Sequence, residues 1–287
     1  MPLHPAPPQD LAGLVQAFTQ TAQAVLDLGH GCREADFDLE TQCPGWTVKD
    51  QLSHVIGVEA ALEGLRELAV EVPEYPHVRH DFGRQVEGPV EARRGRPGPD
   101  VVAELEHVLN ARFATLNSPG LAETSIVPGP FGPAEAAEVL RLRSLDVWVH
   151  EQDIRHALRR PGNLDSPAAT VFLRRLFDVV PRLVARHAGL EPGSIVIIDV
   201  TGPVLGRTGV RTEIGEDGRP WGHKLFTGER IEDEGPVEDG ATTSISLSTD
   251  AVSRRASGRL STEETSYSVT GDEDVARRVL DAIVMTP

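Results

Sequence analysis

The sequence predicts a helical bundle followed by a small α/β domain, and three observations carry that expectation. Apolar residues recur at intervals of three and four through most of the first 190 positions, which places them on one face of each helix. After Gly193 the period drops to two, the mark of strands with one buried side. Helices in one run and strands in the next imply separate domains rather than a single α/β sheet, so the expected boundary lies near 189–193, with domains over 1–190 and 191–287.

The elements follow in order. A first helix is expected over about 9–28, with Leu11, Leu14, Val15, Phe18, Ala22 and Val25 as its stripe. The residues before it read as a short, frayed leader, and the first ten residues lack the basic and apolar regions of a secretory signal. A loop runs through Cys43-Pro44-Gly45-Trp46. Thr47 then reads as an N-cap with Asp50 three residues on, a weaker form of the capping box. The second helix carries Leu52, Val55, Ile56 and Leu62; Glu59 interrupts that stripe, and His54 sits beside it. Residues 72–99, rich in Pro, Gly, His and Arg, read as a long connector of the kind that often serves function. Asp100 opens a third helix, and a Pro/Gly stretch over 118–133 leads into a fourth over about 134–158, stopped by Pro161-Gly162. Ser166-Pro167 caps a fifth that ends near Gly189. Strands are expected over 194–200, 209–214, 223–226, 242–247 and 266–269, with Asp217-Gly218 as a hairpin turn. Asp250 opens a short helix, and an amphipathic helix over 272–283 closes the chain.

Composition narrows the function. Hydrophobic residues at 39% and charged residues at 25% suit a soluble chain with a core. A net charge of −16, from 44 acidic and 28 basic residues, argues against a nucleic-acid partner, whose binding rests on phosphate neutralisation. The dense basic run Arg93-Arg94-Gly95-Arg96 therefore reads as a loop. No apolar stretch reaches the roughly 20 residues of a membrane span. Cys32 and Cys43 make neither a disulfide framework nor a metal-type pair, which favours a reducing cytoplasm. No phosphate loop and no nucleophile elbow is present.

The peptide from Leu145 to Arg155 holds the chemistry. Asp146 and His150 are four apart, hence one turn apart on one helix face, with Asp153 nearby. A carboxylate and an imidazole so placed can share a divalent ion, and His54 on the second helix is the candidate third ligand, leaving one position open. Spacing alone leaves other readings standing. Asp146 can pair with Arg143 or His150, and His54 can be a hydrogen-bonded core histidine. Glu151, Arg155 and Arg159 read as a solvated, i,i+4-paired flank. Asp153 with Arg155 is a candidate buried pair, His156 is structural or exposed, and His77, His80 and His107 have no partner at ligand spacing.

The segment from Cys43 to Val55, Cys43-Pro44-Gly45-Trp46-Thr47-Val48-Lys49-Asp50-Gln51-Leu52-Ser53-His54-Val55, resembles the loop-and-helix signature of the mycothiol-dependent maleylpyruvate isomerase family, part of the DinB-like four-helix-bundle metalloenzymes. Arg93–Gly98 and Trp148–Arg155 resemble recurring segments of that family. Ser257-Gly258-Arg259 and Gly271-Asp272 look like its C-terminal domain, related to sterol-carrier-type folds. The resemblance implies a DinB-like bundle followed by a sterol-carrier-like domain. It implies that His54, Asp146 and His150 bind zinc or another divalent metal, with Asp146 standing where the family carries Glu. It further implies mycothiol as thiol cofactor, a small electrophilic substrate, and either maleylpyruvate-type cis-trans isomerisation or thiol S-transfer. Arg259 is the candidate cation for a substrate carboxylate, and Trp46 is placed at the mouth of the site or as a loop anchor. A reading from another class is a non-catalytic, metal-containing binding module for a small molecule or a protein.

Overall fold

The computed structural model describes residues 3–67, 69–227 and 242–285. The N-terminal unit, Pro8–Gly162, is helical: α1 (Leu11–His30), α2 (Val48–Leu62), α3 (Asp81–Arg94), α4 (Gly98–Leu116) and α5 (Ala136–Leu158). At the starts of α1, α2 and α3 a side chain satisfies orphan N–H groups, whereas α4 and α5 have no side-chain cap. Asp10 accepts from Gly13 N at the start of α1, and Thr47 with Asp50 forms a full reciprocal capping box before α2. Helices α1, α2, α4 and α5 pack on one another as a four-helix bundle around Leu14, Phe18, Leu52, Ile56, Leu105, Leu109, Leu140 and Trp148.

Helix α3 is the main departure from expectation, because it lies inside the segment read as a connector. It has no apolar stripe; its buried residues are Glu87, Val90 and Arg93, and Pro89 sits inside it. Its start is capped by an imidazole, His80 Nδ1 accepting from Gly83 N at 2.9 Å. It docks on α2 where Gly57 faces Pro89, a contact that any Cβ at 57 would obstruct. Only the second half of the basic run, Gly95 and Arg96, is a loop. Arg93 and Arg94 form the last turn of α3, and Arg93 is buried between Glu67 and Glu104, at 2.8 and 2.6 Å. A short hairpin, β1 (Ile126–Val127) and β2 (Ala134–Glu135), precedes α5.

The second unit takes in residues from Asn163 onward together with Met1–Pro7. Its sheet contains β3 (Ile195–Thr201), β4 (Leu205–Ile214), β5 (Pro220–Leu225), β6 (Thr242–Leu247) and β7 (Ser268–Thr270), in the order β5-β4-β3-β6-β7. Only β3 and β6 run parallel; the other pairs are antiparallel. Helices α6 (Pro167–His187), α7 (Thr249–Ala256) and α8 (Glu273–Ala282) belong to this unit. Alternating Val196, Ile198 and Val200 are buried, as are Phe172, Leu173, Leu176, Val180, Val279 and Leu280. Helix α6 packs on β4, β5 and α8. In terms of contacts the chain therefore divides at 162/163, whereas the change of periodicity falls near 190: α6 has a helical period but uses its apolar face to cover a sheet. The leader also departs from expectation, since His4 exchanges two 2.8 Å backbone hydrogen bonds with Leu205 and Leu3 is buried.

Candidate metal centre

The bundle brings three of the sequence candidates together. His54 lies two turns into α2, Asp146 and His150 lie one turn apart on α5, and α2 packs against α5. His54 Nε2 is 3.4 Å from Asp146 Oδ2, and His150 Nε2 is 3.7 Å from Asp146 Oδ1. The two imidazole centroids are 4.4 Å apart. One ligand atom from each residue falls within 4.8 Å of the others. Ligands held about 2.1 Å from one tetrahedral ion stand about 3.4 Å apart, so these separations suit a shared divalent ion after small rotamer adjustments. Among the described residues this is the one group of three or more His, Cys, Asp or Glu side chains gathered closely enough to do so.

Electrostatics puts His54 and Asp146 in their binding forms. Burial pushes His54 down to about 4, helped by His150 and Arg143 and opposed by Asp146, so the ring is neutral at neutral pH and its lone pair is free. Burial resists ionisation of Asp146, but Arg143, His150 and the hydrogen bonds around it prevail and hold the carboxyl well below the usual carboxylate range. Two imidazoles and one carboxylate form the donor set of many three-ligand sites that keep a fourth position open.

Charged residues behind Asp146 were not legible as a site from sequence. Arg143 Nη1 donates to Asp146 Oδ2 at 2.8 Å, and its Nε donates to Glu59 Oε1 at 2.7 Å. Glu59 has no exposed surface, and Arg112 Nε lies 3.1 Å from its other oxygen, off the hydrogen-bond direction. Arg112 Nη1 continues to Glu63 at 3.0 Å. Glu59, noted as a break in an apolar stripe, was the available signal: a carboxylate on a buried face needs a cation. Asp146 does pair with Arg143, and that pairing coexists with the triad.

Trp46 lies against both histidines, 5.1 Å from the His54 ring and 5.8 Å from the His150 ring. Its Nε1 donates to Glu87 Oε2 at 2.8 Å, and His77 Nε2 approaches the same oxygen at 3.1 Å, so the indole is also anchored. Arg94 pairs with Glu87 from the other side. The loop turns tightly at Gly45, φ +78°, where a Cβ would collide with the His77 ring. His77, given no partner from sequence, thus belongs to the clasp that holds the Cys43–Trp46 loop.

The remaining candidates fall elsewhere. Glu151, expected on a solvated flank, is fully buried; Thr21 Oγ1 donates to it at 2.6 Å and Arg155 Nε at 2.6 Å. Arg155 thus pairs with Glu151, while Asp153 Oδ2 stands 3.7 Å from His150 Nδ1. His107, His156 and Arg159 are exposed. Arg259 belongs to the other unit, in the turn after α7, where its Nη1 donates to Ser257 O at 2.9 Å. No described helix is long and apolar enough to cross a membrane.

Comparison with known proteins finds a likeness over the segment that holds the centre. No curated protein sequence matches the chain. Among solved structures, it resembles mycothiol-dependent maleylpyruvate isomerase with a TM-score of 0.52 at 18% identity, over 91% of this chain and 93% of that one. A histidine-to-alanine mutant of that isomerase gives a TM-score of 0.53 with the same identity and coverage. At this identity the likeness establishes a shared fold. Residues 18–155, which contain the whole triad, match the mycothiol maleylpyruvate isomerase N-terminal domain. Over residues 18–155 the chain is therefore similar to the mycothiol maleylpyruvate isomerase N-terminal domain family.

Proposed function

We propose that this chain is a zinc-dependent or other divalent-metal-dependent enzyme that uses mycothiol to attack a small electrophile, either as a maleylpyruvate-type cis-trans isomerase or as a thiol S-transferase. The observation that carries the reading is the close approach of His54, Asp146 and His150, two buried histidines beside a partly exposed carboxylate. A bound divalent ion supplies Lewis acidity that favours a thiolate, and a thiolate supplies reversible addition to an activated alkene.

The protein's own part is to hold, neutralise and dry. His54 offers a neutral imidazole, His150 a second ring nitrogen, and Asp146 a charge that Arg143 partly offsets. Trp46 covers the two imidazoles and limits water beside them. Asp146 is one methylene shorter than glutamate, which draws the carboxylate back towards α5 and suits the Arg143 contact. Arg259 is proposed as the cation for a substrate carboxylate, on the strength of the Ser257-Gly258-Arg259 resemblance.

The test is elemental analysis of the purified protein beside His150→Ala, followed by turnover of maleylpyruvate and other electrophiles with mycothiol. About one ion per chain in the parent, lost together with turnover in the variant, is the expected result. Metal absent from both after reconstitution would remove the basis of the reading.

A further inference from the structure

His150 makes a second contact on the edge away from Asp146: its Nδ1 is 2.5 Å from Gln51 Oε1. Gln51 has no exposed surface and precedes His54 by three residues on α2. What this contact does depends on which end of the amide faces the ring and which ring nitrogen carries the proton. The neighbours of Thr41 decide both.

The Thr41 hydroxyl has one hydrogen to donate and two lone pairs. It lies 2.8 Å from Trp46 O, a carbonyl that can only accept, so the hydrogen is committed there. Cys43 N–H can only donate, and it points to the same hydroxyl at 3.2 Å. The remaining neighbour, 2.8 Å away, is the Gln51 amide. With its hydrogen already used, the hydroxyl can only accept from Gln51, so the NH2 end faces Thr41 and Oε1 faces His150. An amide oxygen accepts only, and so His150 Nδ1 carries the proton. Asp153 Oδ2, another acceptor, stands 3.7 Å from the same nitrogen.

We infer that Gln51 is a positioning residue that locks His150 as the Nδ1–H tautomer and thereby presents a bare Nε2 to the metal position, with the orientation set through Thr41 by the Cys43–Trp46 loop. The inference rests on the reading of the triad as a metal site. It gives that loop a second task besides carrying Trp46. It also identifies the partner in hydrogen-bond contact with this histidine ligand as a neutral amide where a carboxylate is common, the Asp153 carboxylate standing farther off at 3.7 Å.

Three variants test it. Gln51→Met keeps the length and removes the acceptor, Gln51→Glu keeps an acceptor, and Thr41→Val removes the hydroxyl without touching His150. Zinc affinity is measured by competition with a chromogenic chelator. The His150 tautomer is read from ring 15N shifts of the metal-free protein, assigned by their absence in His150→Ala, with circular dichroism confirming the fold. The expected result is an Nδ1–H ring in the parent and in Gln51→Glu. Zinc affinity should fall about 10- to 100-fold in Gln51→Met, with a mixed tautomer, and by a smaller factor in Thr41→Val. If Gln51→Met does not fold, Gln51→Glu and Thr41→Val decide alone. A parent that takes up no zinc would overturn the functional reading and this inference with it. A parent that binds zinc no more tightly than the acceptor-free variants, or that shows an Nε2–H ring, would overturn the inference and leave the functional reading standing.

Discussion

Replacing Glu59 by glutamine removes a charge that two buried guanidiniums share. Arg143 donates to one carboxylate oxygen at 2.7 Å and Arg112 lies 3.1 Å from the other, while Glu59 has no exposed surface and each arginine almost none. Breaking a buried ion pair from one side costs about 3–5 kcal/mol, because the stranded charge cannot return to water. Here each arginine keeps a second carboxylate, Arg112 with Glu63 at 3.0 Å and Arg143 with Asp146 at 2.8 Å, and both of these are partly exposed. The loss should therefore sit near the low end, about 3 kcal/mol. For a domain of this size that corresponds to a fall in melting temperature of roughly 6–12 °C. Calorimetry of parent and Glu59→Gln measures it. A triple variant with Glu59→Leu, Arg112→Met and Arg143→Leu should recover part of the loss, since apolar groups of similar volume fill the buried space and the carboxylates left behind, Glu63 and Asp146, are partly exposed. A loss below about 1 kcal/mol in Glu59→Gln would refute the argument, because that is the size expected of a solvent-screened pair.

Two further outcomes follow from titrating groups. Burial, with a smaller contribution from Asp36 and opposition from Arg160, pushes the Cys32 thiol up to about 11, so little thiolate exists at neutral pH. Iodoacetamide at pH 8 should label Cys32 far more slowly in the native than in the unfolded protein; equal rates, read by mass spectrometry, would contradict this. At Glu104, burial opposes ionisation, but Arg93 and Arg96 prevail and hold the carboxyl below its ordinary value of 4.5. A lowered folded-state pKa gives stability that is present above the ordinary value and lost as pH falls through the folded one. The stability difference between the parent and Glu104→Gln should thus shrink on acidification below about pH 4.5, and a difference that grows there would reverse the assignment.

Most elements were legible because they advertise themselves locally. Ser166 and Pro167 open α6, Thr47 and Asp50 cap α2, and the period of two over 242–247 marks β6 to the residue. The spacing of Asp146 and His150 fixed their common helix face, and family resemblance joined them to His54. What escaped the reading lacks a local signal. Helix α3 has no apolar period and is held by Glu67, Glu87, Arg93 and Glu104, which meet only once the chain has folded. Glu151 looks like a surface carboxylate until Thr21, 130 residues away, is found donating to it.

The sequence by itself thus determined the order of helices and strands and the chemical types available at the centre. Tertiary structure alone decided that α6 covers the sheet, that Glu59 sits between Arg112 and Arg143, and that Gln51 bridges Thr41 and His150. Periodicity and capping act over a few residues and leave their trace in adjacent letters. A buried charge or an oriented amide is specified by partners tens of residues away, and its energy exists only after water has been excluded between them.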